Sequence, residues 1–300
     1  MPYKYLSLIT LLVLSSYPLA QNIVTSIHPY TSLVQQLIPE AKVTQLLAAG
    51  ASPHFFDPKP SQMRAVAEAD LIIINGGVDE WLKAMIAASG SKAQVLDILE
   101  LLGDDLPITE TALIRGEAAA DGHDQEDDHD HEGINAHIWL DPIMMIEAMK
   151  RIADSLINSY PEKAESLKLA LEKLIRDLQQ LDSEITAILS PVQAEAFISF
   201  HNAWPYFAQR YGLNLVMEIV PSPGREPSIQ RMAELLSLIQ EKKVKAIFAE
   251  KQLSSRPAEI IAAEAHIALA VLDPVGGDAE TSSYADLLKF NARIIREALE

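Results

Sequence analysis

The chain contains no cysteine, so any transition-metal site in it must be built from imidazole and carboxylate. Eight histidines are available, and half of them fall in one stretch. That stretch reads Asp121-Gly122-His123-Asp124-Gln125-Glu126-Asp127-Asp128-His129-Asp130-His131-Glu132, followed shortly by Ala136-His137-Ile138-Trp139-Leu140-Asp141-Pro142. The first string is polar and aperiodic, a composition shared by solvated acidic linkers and loose cation-collecting loops. The second is apolar and aromatic with one histidine at its head. It suits either a core histidine bonded to backbone or a firmly held metal ligand. Where the other histidines stand separates these readings.

Short apolar runs alternate with helical periodicity along most of the chain, the pattern of parallel, doubly wound α/β sheets. Strands are expected at residues 22–27, 43–47, 71–75 and 94–96, with helices between them. Ser61 is the expected N-cap of a helix to residue 69. Residues 106–135 lose periodicity and read as a surface loop. Helices follow at 143–160 and 161–189. In the second of these, Leu167, Leu171, Leu174, Leu178, Leu181, Ile185 and Ile188 recur every three or four residues, one apolar stripe along a helix of about 40 Å. Strands resume at 196–200, 213–219, 245–249 and 268–272. Ser228 caps a helix among them, and a helix at 284–300 closes the chain. The expected organisation is a leader at 1–20, an α/β lobe at 21–142 with a His/Asp-rich loop at about 112–135, connecting helices at 143–190, and a second α/β lobe at 191–300. The long helix lies across both lobes and joins them.

Four residues then occupy comparable places. His54 follows the second strand, His137 heads the 138–140 segment, His201 directly follows a strand of the second lobe, and Asp273 follows the last strand. Ligands of open α/β sheets bind beyond the carboxyl ends of strands. Two residues from each lobe can meet only in the crevice between lobes. Three imidazoles and one carboxylate form a closed tetrahedral shell that suits zinc. Pro53, Pro142 and Pro274 stiffen the backbone beside three of the four.

A net charge of -18, from 24 basic and 42 acidic residues, excludes the clustered basic surface that nucleic acids and anionic membranes require. Residues 1–20 place Lys4 before an apolar run from Leu6 to Leu14 and end at Ala20, the layout of a secretory signal peptide. With no cysteine, a lipid anchor is not expected, and the exported chain is expected in the periplasm.

With these strings on the page, the sequence resembles the zinc-uptake solute-binding proteins of bacterial ABC transporters over nearly its whole length. The resemblance is carried by Ala51-Ser52-Pro53-His54 with Pro60-Ser61, by His137-Ile138-Trp139-Leu140-Asp141-Pro142, and by Phe200-His201-Asn202-Ala203-Trp204-Pro205-Tyr206-Phe207. Phe248-Ala249-Glu250-Lys251-Gln252 and Leu272-Asp273-Pro274 complete it. It implies two α/β lobes bridged by one long helix, capture of Zn2+ outside the inner membrane, delivery to a membrane permease, and ligation by His54, His137, His201 and Asp273. Related carriers of manganese commonly have an acidic residue at the third ligand position, where this chain has His201; imidazole favours zinc. Some zinc-binding members place Glu before the first histidine, and Pro53 here leaves Asp273 as the implied fourth ligand.

His28 also follows a strand and is a candidate for a supporting place beside the site, as is Glu250, which is placed to fix the tautomer of a ligand histidine. His266 reads as structural. His123, His129 and His131 are assigned to a low-affinity collecting loop, whose deletion should lower zinc stoichiometry and spare the tight site. Two rival readings remain in view. A secreted zinc hydrolase needs an open metal position and a general base, whereas four protein ligands fill the shell and no His-Glu-x-x-His helix occurs. A manganese carrier of the same architecture is the closer rival. No enzyme activity and no nucleic acid are expected, and the protein should be a monomer whose lobes move little on loading.

Overall fold

The computed structural model describes residues 22–103, 106, 134–224 and 226–300. The expected leader, the acidic tract and with it His123, His129 and His131 lie outside the described residues. Two parallel four-stranded sheets organise the rest. The first contains β1 (Asn22–Thr25), β2 (Lys42–Gln45), β3 (Leu71–Ile74) and β4 (Gln94–Asp97) in the order β2-β1-β3-β4. The second contains β5 (Ala196–Ser199), β6 (Asn214–Glu218), β7 (Ala246–Glu250) and β8 (Ala268–Leu272) in the order β6-β5-β7-β8. Both sheets are thus wound alike, with a central strand at the point where the order reverses. β3, β5 and β7 are buried along their whole length. That is why Leu71-Ile72-Ile73-Ile74 and Ala246-Ile247-Phe248-Ala249 read as unbroken apolar runs rather than alternating ones.

Helices α1 (His28–Leu37), α2 (Pro60–Ala67), α3 (Trp81–Ser89) and α4 (Ile98–Leu102) surround the first sheet; α7 (Pro205–Tyr211), α8 (Ile229–Lys242) and α9 (Arg256–Ala265) surround the second. Between the lobes run α5 (Pro142–Ser159) and α6 (Ala164–Leu189), and α10 (Tyr284–Leu299) closes the chain. The expected long helix begins at residue 164 because Pro161–Lys163 forms a separate 3-10 turn. Its buried residues are Leu167, Leu174, Leu178, Leu181, Ile185 and Leu189. α6 packs most extensively on α5 and α10, and also on α1. One continuous apolar cluster runs from Ile23 through Trp139 and Leu178 to Phe197, Leu272 and Tyr284, so both lobes share a core. Among the described residues no helix is long and apolar enough to cross a membrane.

Local chemistry sets the helix starts. Asp141 Oδ1 accepts from the Ile143 and Met144 N–H groups, capping α5 behind Pro142. Ser228 caps α8 as expected, accepting from Arg231 N. Ser61 does not cap α2. Lys59 holds that position, its N–H donating to Gln62 Oε1 at 2.8 Å, because the fixed φ of Pro60 starts the helix one residue earlier. The first strand stops at Thr25, since the helix at His28-Pro29 takes over.

Polar ties cross the seam between lobes. Asn135 Nδ2 donates to Asn202 O at 2.7 Å, Trp139 Nε1 to Pro274 O at 2.6 Å, and Tyr284 OH to Trp139 O at 2.8 Å. Tyr284 N donates to Ser32 Oγ at 2.9 Å, and Arg210 Nε meets Asp141 Oδ1 at 2.5 Å.

Candidate metal centre

His54, His137 and His201 converge where the two sheets face each other. One nitrogen from each lies within 4.8 Å of the others. Their ring centroids form a nearly equilateral triangle of 5.0, 5.3 and 5.5 Å. They line a small cavity together with Ser52, Trp139, Glu250 and Gln252, which leaves about the room that one ion or one water needs.

His201 comes two residues after the end of β5, and β5 lies beside β7 with Ser199 opposite Phe248. Two residues further along each strand, this register sets His201 against Glu250. The Glu250 carboxylate can only accept, so His201 Nδ1 carries the proton it donates to Oε1 at 2.7 Å, and Nε2 keeps its lone pair. His137 heads the 3-10 turn Ile138–Leu140. Asn135 Oδ1 accepts from both the backbone N–H and Nδ1 of His137, each at 2.9 Å, which fixes the same tautomer. Asn75, at the end of β3, donates to Ala136 O at 2.9 Å and holds this segment to the first lobe. His54 sits in a turn between β2 and α2. Trp81 fixes that loop by donating Nε1 to Pro53 O at 2.8 Å and stacking on Phe56.

Both fixed tautomers direct bare Nε2 atoms at one another, His137 to His201, at 3.2 Å. Two lone pairs at that distance repel unless a cation stands between them. Nitrogens about 2.0–2.1 Å from a tetrahedral zinc lie roughly 3.3 Å apart, so the spacing suits zinc. His54 Nε2 is buried without a hydrogen-bond partner. Burial, reinforced by the neighbouring His201, lowers the His54 pKa from 6.5 to about 3, and burial with its two histidine neighbours holds His137 well below the ordinary range. The fold therefore keeps both imidazoles in their metal-ready neutral form.

The sign of the resulting pH dependence follows from linkage. The unfolded chain takes up protons at His54 and His137 as pH falls below about 6.5, and the folded chain refuses them until much lower pH. Metal-free protein is expected to lose stability from about pH 6.5 downward. Thermal denaturation between pH 7 and 5 checks this, with a shallower fall expected when both residues are replaced by alanine; equal slopes would contradict it.

Asp273, expected as the fourth ligand, is not among the three residues whose donor atoms lie within 4.8 Å of one another. Its Oδ1 accepts from Gln252 Nε2 at 2.7 Å, Gly276 N at 2.8 Å and Val275 N at 3.1 Å. Its Oδ2 faces Thr281 Oγ1 and Lys251 Nζ. These contacts join the Asp273 loop to the residues just beyond β7. His28 is also outside the triangle: it opens α1, its Nδ1 is 3.1 Å from Gln45 Oε1, and its ring lies against Gly277. His266 caps the end of α9 at φ 55°, away from the site. Asn135 and Trp81 were not anticipated. The signal for Asn135 was its spacing, since a side-chain amide two residues ahead can bond the later backbone N–H. Asn135→Ala is expected to weaken zinc binding by roughly ten- to a hundredfold, read by competition with a chelator; unchanged affinity would mean that His137 is held without it.

Comparison with known proteins places the chain among zinc-uptake proteins. The family described as "Zinc-uptake complex component A periplasmic" matches residues 23–298. The chain is 30% identical to the zinc-binding protein AdcA of Streptococcus pyogenes over 93% of its own length and 55% of AdcA. It thus spans about half the length of the curated relatives it first matches. It is 28% identical to the high-affinity zinc uptake system protein ZnuA of Yersinia pestis, over 89% of this chain and 87% of that protein. A crystal structure of ZnuA superposes with a TM-score of 0.77 at 26% identity, covering 94% of this chain and all of the other.

Proposed function

Because the chain belongs to the family of zinc-uptake complex component A, we propose that it captures Zn2+ outside the cytoplasm and hands it to an ABC transporter permease, acting as a monomeric carrier. His54, His137 and His201 are the proposed ligands, with Asp273 as the proposed fourth. Glu250 and Asn135 fix the tautomers of His201 and His137. The observation that carries this reading is the pair of bare Nε2 atoms 3.2 Å apart, each with its Nδ1 proton engaged elsewhere. Three imidazoles favour zinc over manganese, which prefers carboxylates and water. Export by a leader at residues 1–20 and a collecting role for His123, His129 and His131 belong to the same proposal.

Three histidines also hold catalytic zinc in some hydrolases, so the histidine triangle by itself does not separate carrier from enzyme. Two other features support the carrier. The cavity has room for an ion and little else, and Glu250, the carboxylate that lines it, is engaged by His201.

The test is metal analysis of protein purified without added metal, followed by chelator stripping and calorimetric titration with zinc and with manganese. One tightly bound zinc per chain, with manganese weaker by orders of magnitude, is the expected result. Tight manganese with weak zinc would overturn the cargo, and no tight metal at all would overturn the site.

A further inference from the structure

We propose that the loop leaving β3, through Asn75 and Gly77, sets the position of His137 in the metal centre. This rests on the zinc reading of the histidine triangle and adds two positioning residues that do not touch the ion.

Asn75 directly follows β3 and is fully buried. Its Nδ2 faces two carbonyls, Gly76 O at 2.6 Å and Ala136 O at 2.9 Å. Carbonyls only accept, so Nδ2 is the NH2 end and both of its hydrogens are engaged. Oδ1 is then the acceptor, and the buried Tyr30 hydroxyl on α1 donates to it at 2.8 Å. The backbone of the loop is held as well. Asp79, fully buried, accepts from the N–H groups of Asn75 and Gly76, each at 2.8 Å. Asn75 O accepts from Leu99 N at 3.0 Å. Every polar group of Asn75 has a partner, so the side chain has one place from which to hold Ala136 O.

Gly77 sets the other limit of this contact. Its φ is 71°, and a Cβ on it would stand 2.7 Å from the Ala136 Cβ. Glycine is needed twice over, for the left-handed backbone and for the close approach. The Asn75 amide draws Ala136 toward the loop, and the Gly77 backbone stops it. His137 is the next residue. Asn135, which orients its ring, is tied to Asn202 O in the second lobe. The loop after β3 thus governs how His137 stands toward the second lobe, and with it the 3.2 Å between the His137 and His201 Nε2 atoms. Carbon atoms pack at about 3.5–4.0 Å. A methyl at position 77 therefore displaces Ala136 by more than the roughly 0.5 Å within which ligand positions must hold.

The test measures zinc affinity by competition with a chromophoric chelator, and the visible spectrum of the cobalt(II) form. The proteins are the parent, Asn75→Ala, Gly77→Ala, the double variant Gly77→Ala with Ala136→Gly, and His201→Ala. Asn75→Ala and Gly77→Ala are each expected to weaken zinc by roughly ten- to a hundredfold and to shift the cobalt bands, because His137 is displaced. The double variant removes the methyl that opposes the new one. Its affinity should return to within a few-fold of the parent, and its cobalt bands with it, while its Tm stays lowered by the left-handed backbone at 77. Parent affinity and spectrum in Asn75→Ala or in Gly77→Ala overturns the proposal. So does a double variant that binds no better than Gly77→Ala, since the loss would then follow stability and not position. Thermal denaturation of the metal-free variants identifies a folding defect. Asn75→Ser replaces an Asn75→Ala that does not fold. Ala136→Val, which presses on the same contact from its other partner, replaces a Gly77→Ala that does not fold, with the same expected loss. Full zinc affinity in His201→Ala would overturn the histidine site itself, an outcome distinct from failure at Asn75 and Gly77 alone.

Discussion

His201→Ala is expected to lower zinc affinity by at least roughly a thousandfold, about 4 kcal/mol at 1.4 kcal/mol per decade. Two losses combine. The ion loses one of three nitrogen ligands, and Glu250 loses its donor. The Glu250 carboxylate is buried, its Oε1 is the acceptor of the His201 Nδ1 proton at 2.7 Å, and its Oε2 has no partner. With alanine at 201, a buried carboxylate is left facing an empty place, where it must take up a proton or draw in water. Glu250→Gln is the instructive contrast. Its amide oxygen still accepts from Nδ1, so the tautomer survives while the negative charge beside the imidazole is lost. The expected weakening is roughly ten- to a hundredfold. Competition with a chelator of known affinity measures both. An order of effects in which Glu250→Gln exceeds His201→Ala would make Glu250 itself a ligand. The zinc-dependent rise in Tm should shrink in the same order, because stabilisation by a ligand follows RT ln(1 + [L]/Kd).

Trp139→Ala is expected to destabilise the metal-free protein by about 3–5 kcal/mol, lowering Tm by roughly 5–15 °C. Trp139 is fully buried and packs 5.0 Å from the His137 ring. Its indole N–H reaches Pro274 O in the second lobe, and its own carbonyl accepts from the Tyr284 hydroxyl on α10. Removing the ring opens a cavity in the shared core, leaves a buried carbonyl without its donor, and takes away one wall of His137. Trp139→Phe keeps most of the ring volume and loses only the N–H, so it should cost about 1–3 kcal/mol. Differential scanning calorimetry of the three proteins tests this; a Trp139→Ala protein that melts with the parent would show that the lobes are not joined here. Zinc affinity should fall in both variants, more in alanine.

The architecture was largely legible because parallel sheets buried on both faces write themselves as apolar runs, and because the stripe from Leu167 to Ile185 has helical period. Leu171 and Ile188 were read into that stripe and are only half-buried, since a repeat of three and four drifts around a helix of 3.6 residues per turn. The convergence of the three histidines was legible from the places of His54 and His201 after strands and of His137 at the head of an apolar segment. Asp273 follows the last strand, and location alone does not say what its carboxylate already bonds. The sequence Asp273-Pro274-Val275-Gly276 carries the signature of a side chain that bonds its own following backbone, and the structure finds Oδ1 doing that. Glu250 was recognisable as a partner of a histidine, but which histidine depends on β5 and β7 being neighbours, a fact of strand order that local pattern does not contain. Gln252 shows the same limit: its relation to Asp273 spans two strand ends. Asn135 was hidden because it closes a segment whose composition is dominated by acidic residues.

Two of the three imidazoles belong to the first lobe and the third to the second, and the support of each comes from its own lobe or from the seam. This bears on the order of events in folding. His54, His137 and His201 are far apart in sequence, so the centre is assembled from contacts of long range, which form late. A first lobe that has folded alone presents only two imidazoles and lacks the Asn202 carbonyl that steadies Asn135. Metal retention is then a report on finished assembly. On refolding with cobalt present, the colour of the bound ion should develop after the secondary structure has returned, and a partly folded chain should leave free metal in solution for those that are complete.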